Sequence, residues 1–135
     1  MTTMAGAVST LYRRLESALP TLPIWWPNAD FRPPAADLWV QVQTRWGQAT
    51  AQSMRPPKLN TIQGQLRIAI YAPQGQGDGP ALRLADQIRP LYNRLDLEGV
   101  RCDVMSGAQD NGYQLSWYSL LLIVNYTIDE TEGEP

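Results

Sequence analysis

The sequence predicts an α+β domain: a mainly antiparallel, four-stranded sheet with two helices on one face, in the order α-β-β-α-β-β. Three observations lead there. Apolar residues recur at helical spacing in two stretches, four other stretches alternate at the period of a strand, and the connections between neighbouring strands read as hairpins, which favours antiparallel partners. With 135 residues and 44% hydrophobic content the chain is long and apolar enough for one enclosed core. Residues 1–135 are therefore expected to form a single domain.

The first helix is predicted over about Ser9–Leu19, because Val8, Leu11, Tyr12, Leu15 and Leu19 fall on one stripe and Pro20 ends it. Residues 20–36 follow as an extended segment. Pro20, Pro23, Pro27, Pro33 and Pro34 exclude a helix there, while Ile24, Trp25, Trp26 and Phe31 make the segment adhesive. Two readings of this strap stand side by side: it packs over the chain's own core, or it binds a partner.

Leu38–Thr44 alternates strictly, with Leu38, Val40 and Val42 on one face and Trp39, Gln41 and Gln43 on the other, as a half-buried strand does. Trp46–Leu59 has no sustained period and reads as a long loop. Ile62–Ala72 is the second strand, with Leu66, Ile68 and Ile70 opposed to Arg67, Ala69 and Tyr71. Pro73–Pro80 (PQGQGDGP) is a glycine-rich turn whose last proline suits the first turn of a helix. Ala81, Leu84, Ala85, Ile88, Leu91, Tyr92 and Leu95 form the second helix's apolar face, with Pro90 as the expected kink or break. Val100–Met105 reads as the third strand, Ser106–Gly112 as a turn, and Tyr113–Asp129 as a long fourth strand.

Composition removes several function classes. There is no histidine and one cysteine, Cys102, which excludes Ser-His-Asp and Cys-His catalysis, intramolecular disulfides and Cys/His zinc sites. Cys102 shares a face with Val100 and Val104, alternating with Arg101, Asp103 and Met105, and reads as a buried thiol. The net charge is −2, with Asp129, Glu130, Glu132 and Glu134 making an acidic tail over residues 129–135. Ten of the eleven basic residues are arginines, but they are scattered, so no nucleic-acid footprint and no sequence-specific nucleic acid partner is expected. The longest aliphatic run, Leu120–Val124, is too short to cross a membrane as a helix, and residues 1–10 lack the pattern of a secretory signal.

Gly75, Gly77 and Gly79 invite comparison with a phosphate cradle, yet a dinucleotide fingerprint would want glycine where Pro80 stands, and Asp78 would repel phosphate. The carboxylate pairs Asp103 with Asp110 and Asp129 with Glu130 read as solvated. Trp39, Arg45 and Trp46 could stack on bases only against the modest overall charge. No catalytic residue, metal or cofactor is assigned.

The last strand is the informative one. Tyr118, Leu120, Leu122, Val124, Tyr126 and Ile128 fill one face, while Leu115, Trp117, Leu121 and Ile123 fill much of the other. One face can lie under the helices. The opposite face is expected to gather Trp39, Tyr71, Met105, Trp117, Leu121 and Ile123, with no third helix to cover it. These six, together with Trp25 and Trp26 of the strap, are the candidate interface residues.

Taken in order, several pieces carry a likeness: the N-terminal helix, the WPN of Trp26–Asn28 with Phe31, the LWVQV strand, the LRIAIYAPQGQG strand and loop, the ALRLADQI helix, and the closing WYSLLLIVNYTIDE strand. Over most of residues 5–130 the sequence resembles the tail terminator, or tail completion, proteins of long-tailed bacteriophages of the lambda type. The resemblance implies a non-enzymatic virion protein, assembled in the host cytoplasm, that closes as a hexameric ring on a completed tail tube. Its implied partners are further copies of itself, the tail tube protein and the head-tail connector protein. The loops at Trp46–Leu59 and Gly75–Gly79 would then gain order on assembly. Two alternatives remain open at this stage: a small-molecule-binding α+β domain dimeric through its sheet, and a different component of the phage neck or tail.

Overall fold

The structure, a computed structural model, describes residues 2–52 and 58–132. Helix α1 spans Met4–Ala18, so it begins earlier than the apolar stripe suggested. The Thr3 hydroxyl accepts the Gly6 N–H at 3.0 Å and caps the first turn. After it come β1 (Ile24–Trp25), β2 (Trp39–Ala51), β3 (Lys58–Pro73), α2 (Gly79–Tyr92), β4 (Asp96–Leu97), β5 (Val100–Cys102), β6 (Gln109–Gln114) and β7 (Trp117–Glu132). Pro90 lies in the last turn of α2, where the helix was about to end, and does not break it.

The α+β class and the two helices agree with the sequence reading, but the sheet is mixed and has seven strands rather than four. Its order is β1-β2-β3-β7-β5-β4, with β6 also paired to β7. All pairs are antiparallel except β1 with β2, where the strap supplies a short parallel edge: Ile24 lies opposite Val40, and the Val40 N–H donates to the Pro23 carbonyl at 3.1 Å. At the other edge β4 and β5 form a hairpin whose two turn residues, Glu98 and Gly99, both have positive φ (50° and 85°), the geometry that follows strand twist.

Most of the expected Trp46–Leu59 loop is strand. The β2–β3 ladder runs on to Ala51 opposite Asn60, interrupted by a shift between Trp46 and Ala49, where β2 takes three steps against two on β3. That extra residue inverts the alternation, which is why no period was visible. Residues 53–57 of the expected loop lie outside the described residues. Asp129, Glu130 and Glu132 of the expected acidic tail belong to β7, whose ladder with β3 reaches Lys58 opposite Glu132; Glu134 lies outside the described residues.

Both helices lie on one face of the sheet. Leu11 and Leu15 of α1 and Ile88 and Tyr92 of α2 pack with Val40, Ile68, Ile70, Leu122, Val124 and Ile128 in a single buried cluster. The Tyr92 hydroxyl donates to the Leu11 carbonyl at 2.6 Å, tying the helices together, and burial pushes its pKa well above that of an exposed tyrosine.

At the far end of the sheet Arg101 on β5 makes a two-pronged contact with Asp129 on β7, at 2.8 and 3.1 Å, and Thr61 on β3 donates to the same carboxylate at 2.9 Å. The Arg101 hydrogen bonds hold the Asp129 pKa below its ordinary value. This pairing stabilises the fold wherever Asp129 is ionised, and its contribution disappears as pH falls from the unfolded carboxylate value of about 4 through the lower folded value. Asp129→Asn is therefore expected to lower the urea midpoint at pH 7 and to narrow the difference between the midpoints at pH 7 and pH 3. Equal pH dependence in variant and parent would remove this account. The site is partly solvated, so the expected shift is small.

Candidate assembly surfaces

Strand alternation sends Trp39, Ala69, Tyr71, Trp117, Leu121 and Ile123 to the outer face of the sheet, away from the helices. Trp39 is the hub. It stacks on Tyr71 at 4.1 Å and 11°, meets Trp117 edge-on at 5.7 Å, and touches Phe31 of the strap at 5.1 Å. Trp25 completes the group against Phe31 at 6.1 Å. Within the chain the strap packs over the outer face through Phe31, as the first of its two readings expects.

The strap therefore covers one end of this face: Trp39 is 4% and Tyr71 7% exposed. The uncovered apolar surface is smaller than the sequence suggested, contracting to Trp117, Leu121 and Ile123, all half-buried, and to Trp25, which remains exposed. Beyond them the face turns polar: Arg67 donates to Gln65 and Gln65 to Asn125, each at 3.2 Å, while Gln41 accepts from the Tyr71 hydroxyl at 3.3 Å. The outer face is thus half aromatic and half amide-rich.

Two of the eight candidates do not belong to it. Trp26 turns the other way, packing on Tyr12 of α1 at 4.8 Å on the helix side. Met105 is fully buried in the main core, while Val104, expected to point inward, is exposed. The cause is a second extra residue. The Asp103 N–H donates to the Asn125 carbonyl and the Ser106 N–H to the Ile123 carbonyl, three steps against two, so parity reverses beyond Cys102 and β5 stops there. Asn93 and Arg89, hydrogen-bonded to the Met105 N–H and carbonyl at 2.8 and 3.1 Å, hold it toward α2.

Further apolar surface lies where the sequence reading did not look. The SGAQDNG segment is not the reversal it resembled. Gly112, at φ 75°, donates its N–H to Asp110 at 2.7 Å and forms an irregularity inside β6, and the chain turns instead at Leu115 and Ser116, between the paired residues Gln114 and Trp117. Leu115 has φ 58° and is 97% exposed, and Tyr113 is 68% exposed. On the helix side, Met4, Val8, Tyr12, Trp26 and Trp46 line an open, mainly apolar groove of about 650 Å³.

Burial pushes the Cys102 thiol up to about 11. The folded protein at pH 8 is accordingly expected to resist maleimide labelling, with full reactivity only in denaturant; rapid labelling of the native form would contradict the burial of this thiol. Gly75 and Gly77 form a turn with φ 88° and 70° that leads into α2, and the Asp78 side chain makes no capping hydrogen bond there. No three potential metal-ligating residues cluster among the described residues, and none of their helices is long and apolar enough to cross a membrane.

A family model described as a phage tail terminator protein matches residues 7–126. Five solved chains also match, and one of them is similar over 99% of this chain and 99% of its own, with a TM-score of 0.68 at 17% identity, a likeness of fold. No curated protein matches the sequence.

Proposed function

The chain belongs to the phage tail terminator family, which makes it a structural component of a phage tail, and from that premise we propose that it caps the completed tail tube as a six-membered ring. In this role it performs no catalysis. It stops addition of the tail tube protein, and its free side becomes the surface on which the head-tail connector is joined. Assembly takes place in the host cytoplasm before the finished tail enters the virion.

One observation supports this reading above the others: apolar side chains remain at the surface in separate and dissimilar places, namely the outer-face strip at Trp117, Leu121 and Ile123, the hairpin tip at Leu115, and the groove beside α1. A ring needs unlike patches that meet head to tail and close by rotation, whereas a two-fold dimer needs one patch that meets itself. Electron microscopy of terminator-deficient tails mixed with the protein tests the proposal. A ring with six-fold symmetry at one end of each tail is the expected result. Tails that bind no protein, or bind it along their length, would overturn it.

A further inference from the structure

Leu115 occupies a place that ordinary folding does not explain. Side chains other than glycine are strained at φ 58°, and a leucine exposed to 97% recovers nothing from burial. The tip is nevertheless held firmly: the Gln74 side chain donates to the Leu115 carbonyl at 3.0 Å, and the Gln74 N–H to the Ser116 carbonyl at 3.4 Å. Tyr113, tilted at 56° against Tyr118 with ring centroids 5.6 Å apart, stands beside it. The result is an apolar knob on a backbone already held in its strained conformation, which favours binding because little backbone freedom is lost when it docks.

We propose that this knob seats in the α1 groove of the next copy of the same chain, so that each subunit gives a tip to one neighbour and a groove to the other. This rests on the ring reading and names its contact. The groove's walls, Met4, Val8, Tyr12, Trp26 and Trp46, offer the apolar and aromatic lining that a leucine and a tyrosine fit. A chain cannot fill its own groove: the Trp46 end lies against Tyr126, nine residues of β7 and so about 30 Å from Trp117 at the base of the tip.

Charge does not set this direction. Residues 73–79 and 109–117, which build the tip, contain Asp78 and Asp110 and no lysine or arginine. On the groove's rim Arg13, largely exposed, pairs with Glu98 at 3.8 Å, and Glu16 stands on the same rim, so the rim carries no excess of positive charge. Area sets the strength. Docking two such side chains buries about 300–400 Å² of the tip, well below the roughly 800 Å² per partner of a stable complex. A single knob-in-groove contact is therefore too weak to hold two free copies together, and it becomes effective where the tail tube collects several copies and the ring can close on itself.

The test uses the full chain with Cys102 left in place, since that thiol is buried. Leu115→Cys and Val8→Cys variants are mixed, added to terminator-deficient tails, and treated with a short bismaleimide. The expected product links the two different variants, with no product from either variant alone. In parallel, Leu115→Gly should leave monomer stability unchanged or raised, because it relieves the strained φ, while the concentration for half-maximal tail capping rises about tenfold. Leu115-to-Leu115 linkage would overturn the head-to-tail contact. Rings formed without cross-link, and equally well by Leu115→Gly, would overturn the contact and leave the ring standing. Failure of the parent protein to cap tails at all would overturn both.

Discussion

Trp39→Ala is expected to lower stability by about 3–5 kcal/mol in urea titration, the range for removing a large buried aromatic. The reason lies in its position. Trp39 is the ring on which Tyr71, Trp117, Phe31 and Trp25 converge, so its loss leaves a void on β2 and frees the strap from the outer face. Its indole N–H is buried with no acceptor among the described residues, which separates this site from an ordinary buried tryptophan. Trp39→Phe forfeits no hydrogen bond and should cost clearly less than the alanine variant, by denaturation measured on both. Equal losses would show that packing around this ring is not what matters.

Gly64→Ala should cost about 1–3 kcal/mol by overpacking. A Cβ on Gly64 would stand 2.5 Å from the Tyr126 ring, which lies across β3 in the helix-side core and is held edge-on by Trp46 at 5.3 Å. Because Tyr126 is buried and boxed in, it cannot swing aside freely. Its hydroxyl also finds no partner among the described residues, and burial raises its pKa. Tyr126→Phe removes an unsatisfied polar atom and should therefore leave stability unchanged or raise it. A large loss on Tyr126→Phe would show that the hydroxyl is bonded after all.

These residues also show what could be read from the sequence. The strands around Val40, Ile68 and Leu122 and the helices around Leu11 and Ile88 were legible because their side chains alternate without interruption and face one core. Legibility ended wherever one residue was inserted. The extra residue near Gly47 hid the second half of β2, and the one near Val104 sent Met105 into the core instead of the outer face. The Asp110–Gly112 turn chemistry was real but served an irregularity in β6, while the true reversal fell at Leu115, a residue that no turn preference would select at positive φ.

The assembly surfaces were partly legible for the same reason. Trp39, Tyr71, Trp117, Leu121 and Ile123 share a face by strict alternation along three strands, and that inference needed only the period. How much of the face the strap covers depends on Phe31 folding back onto Trp39, a long-range contact with no periodic signature. The groove is less legible still, because it brings Met4, Trp26 and Trp46 together from a helix, an extended segment and a strand.

Tube growth provides the most direct measurement. Tail tube protein is allowed to polymerise in the presence and absence of this chain, and tube length is followed by electron microscopy. Growth should cease at the capped end once the chain is added, leaving tubes that no longer lengthen when more tube protein is supplied. Tubes that go on lengthening at the same rate with the chain bound to their ends would contradict its role in ending the tail.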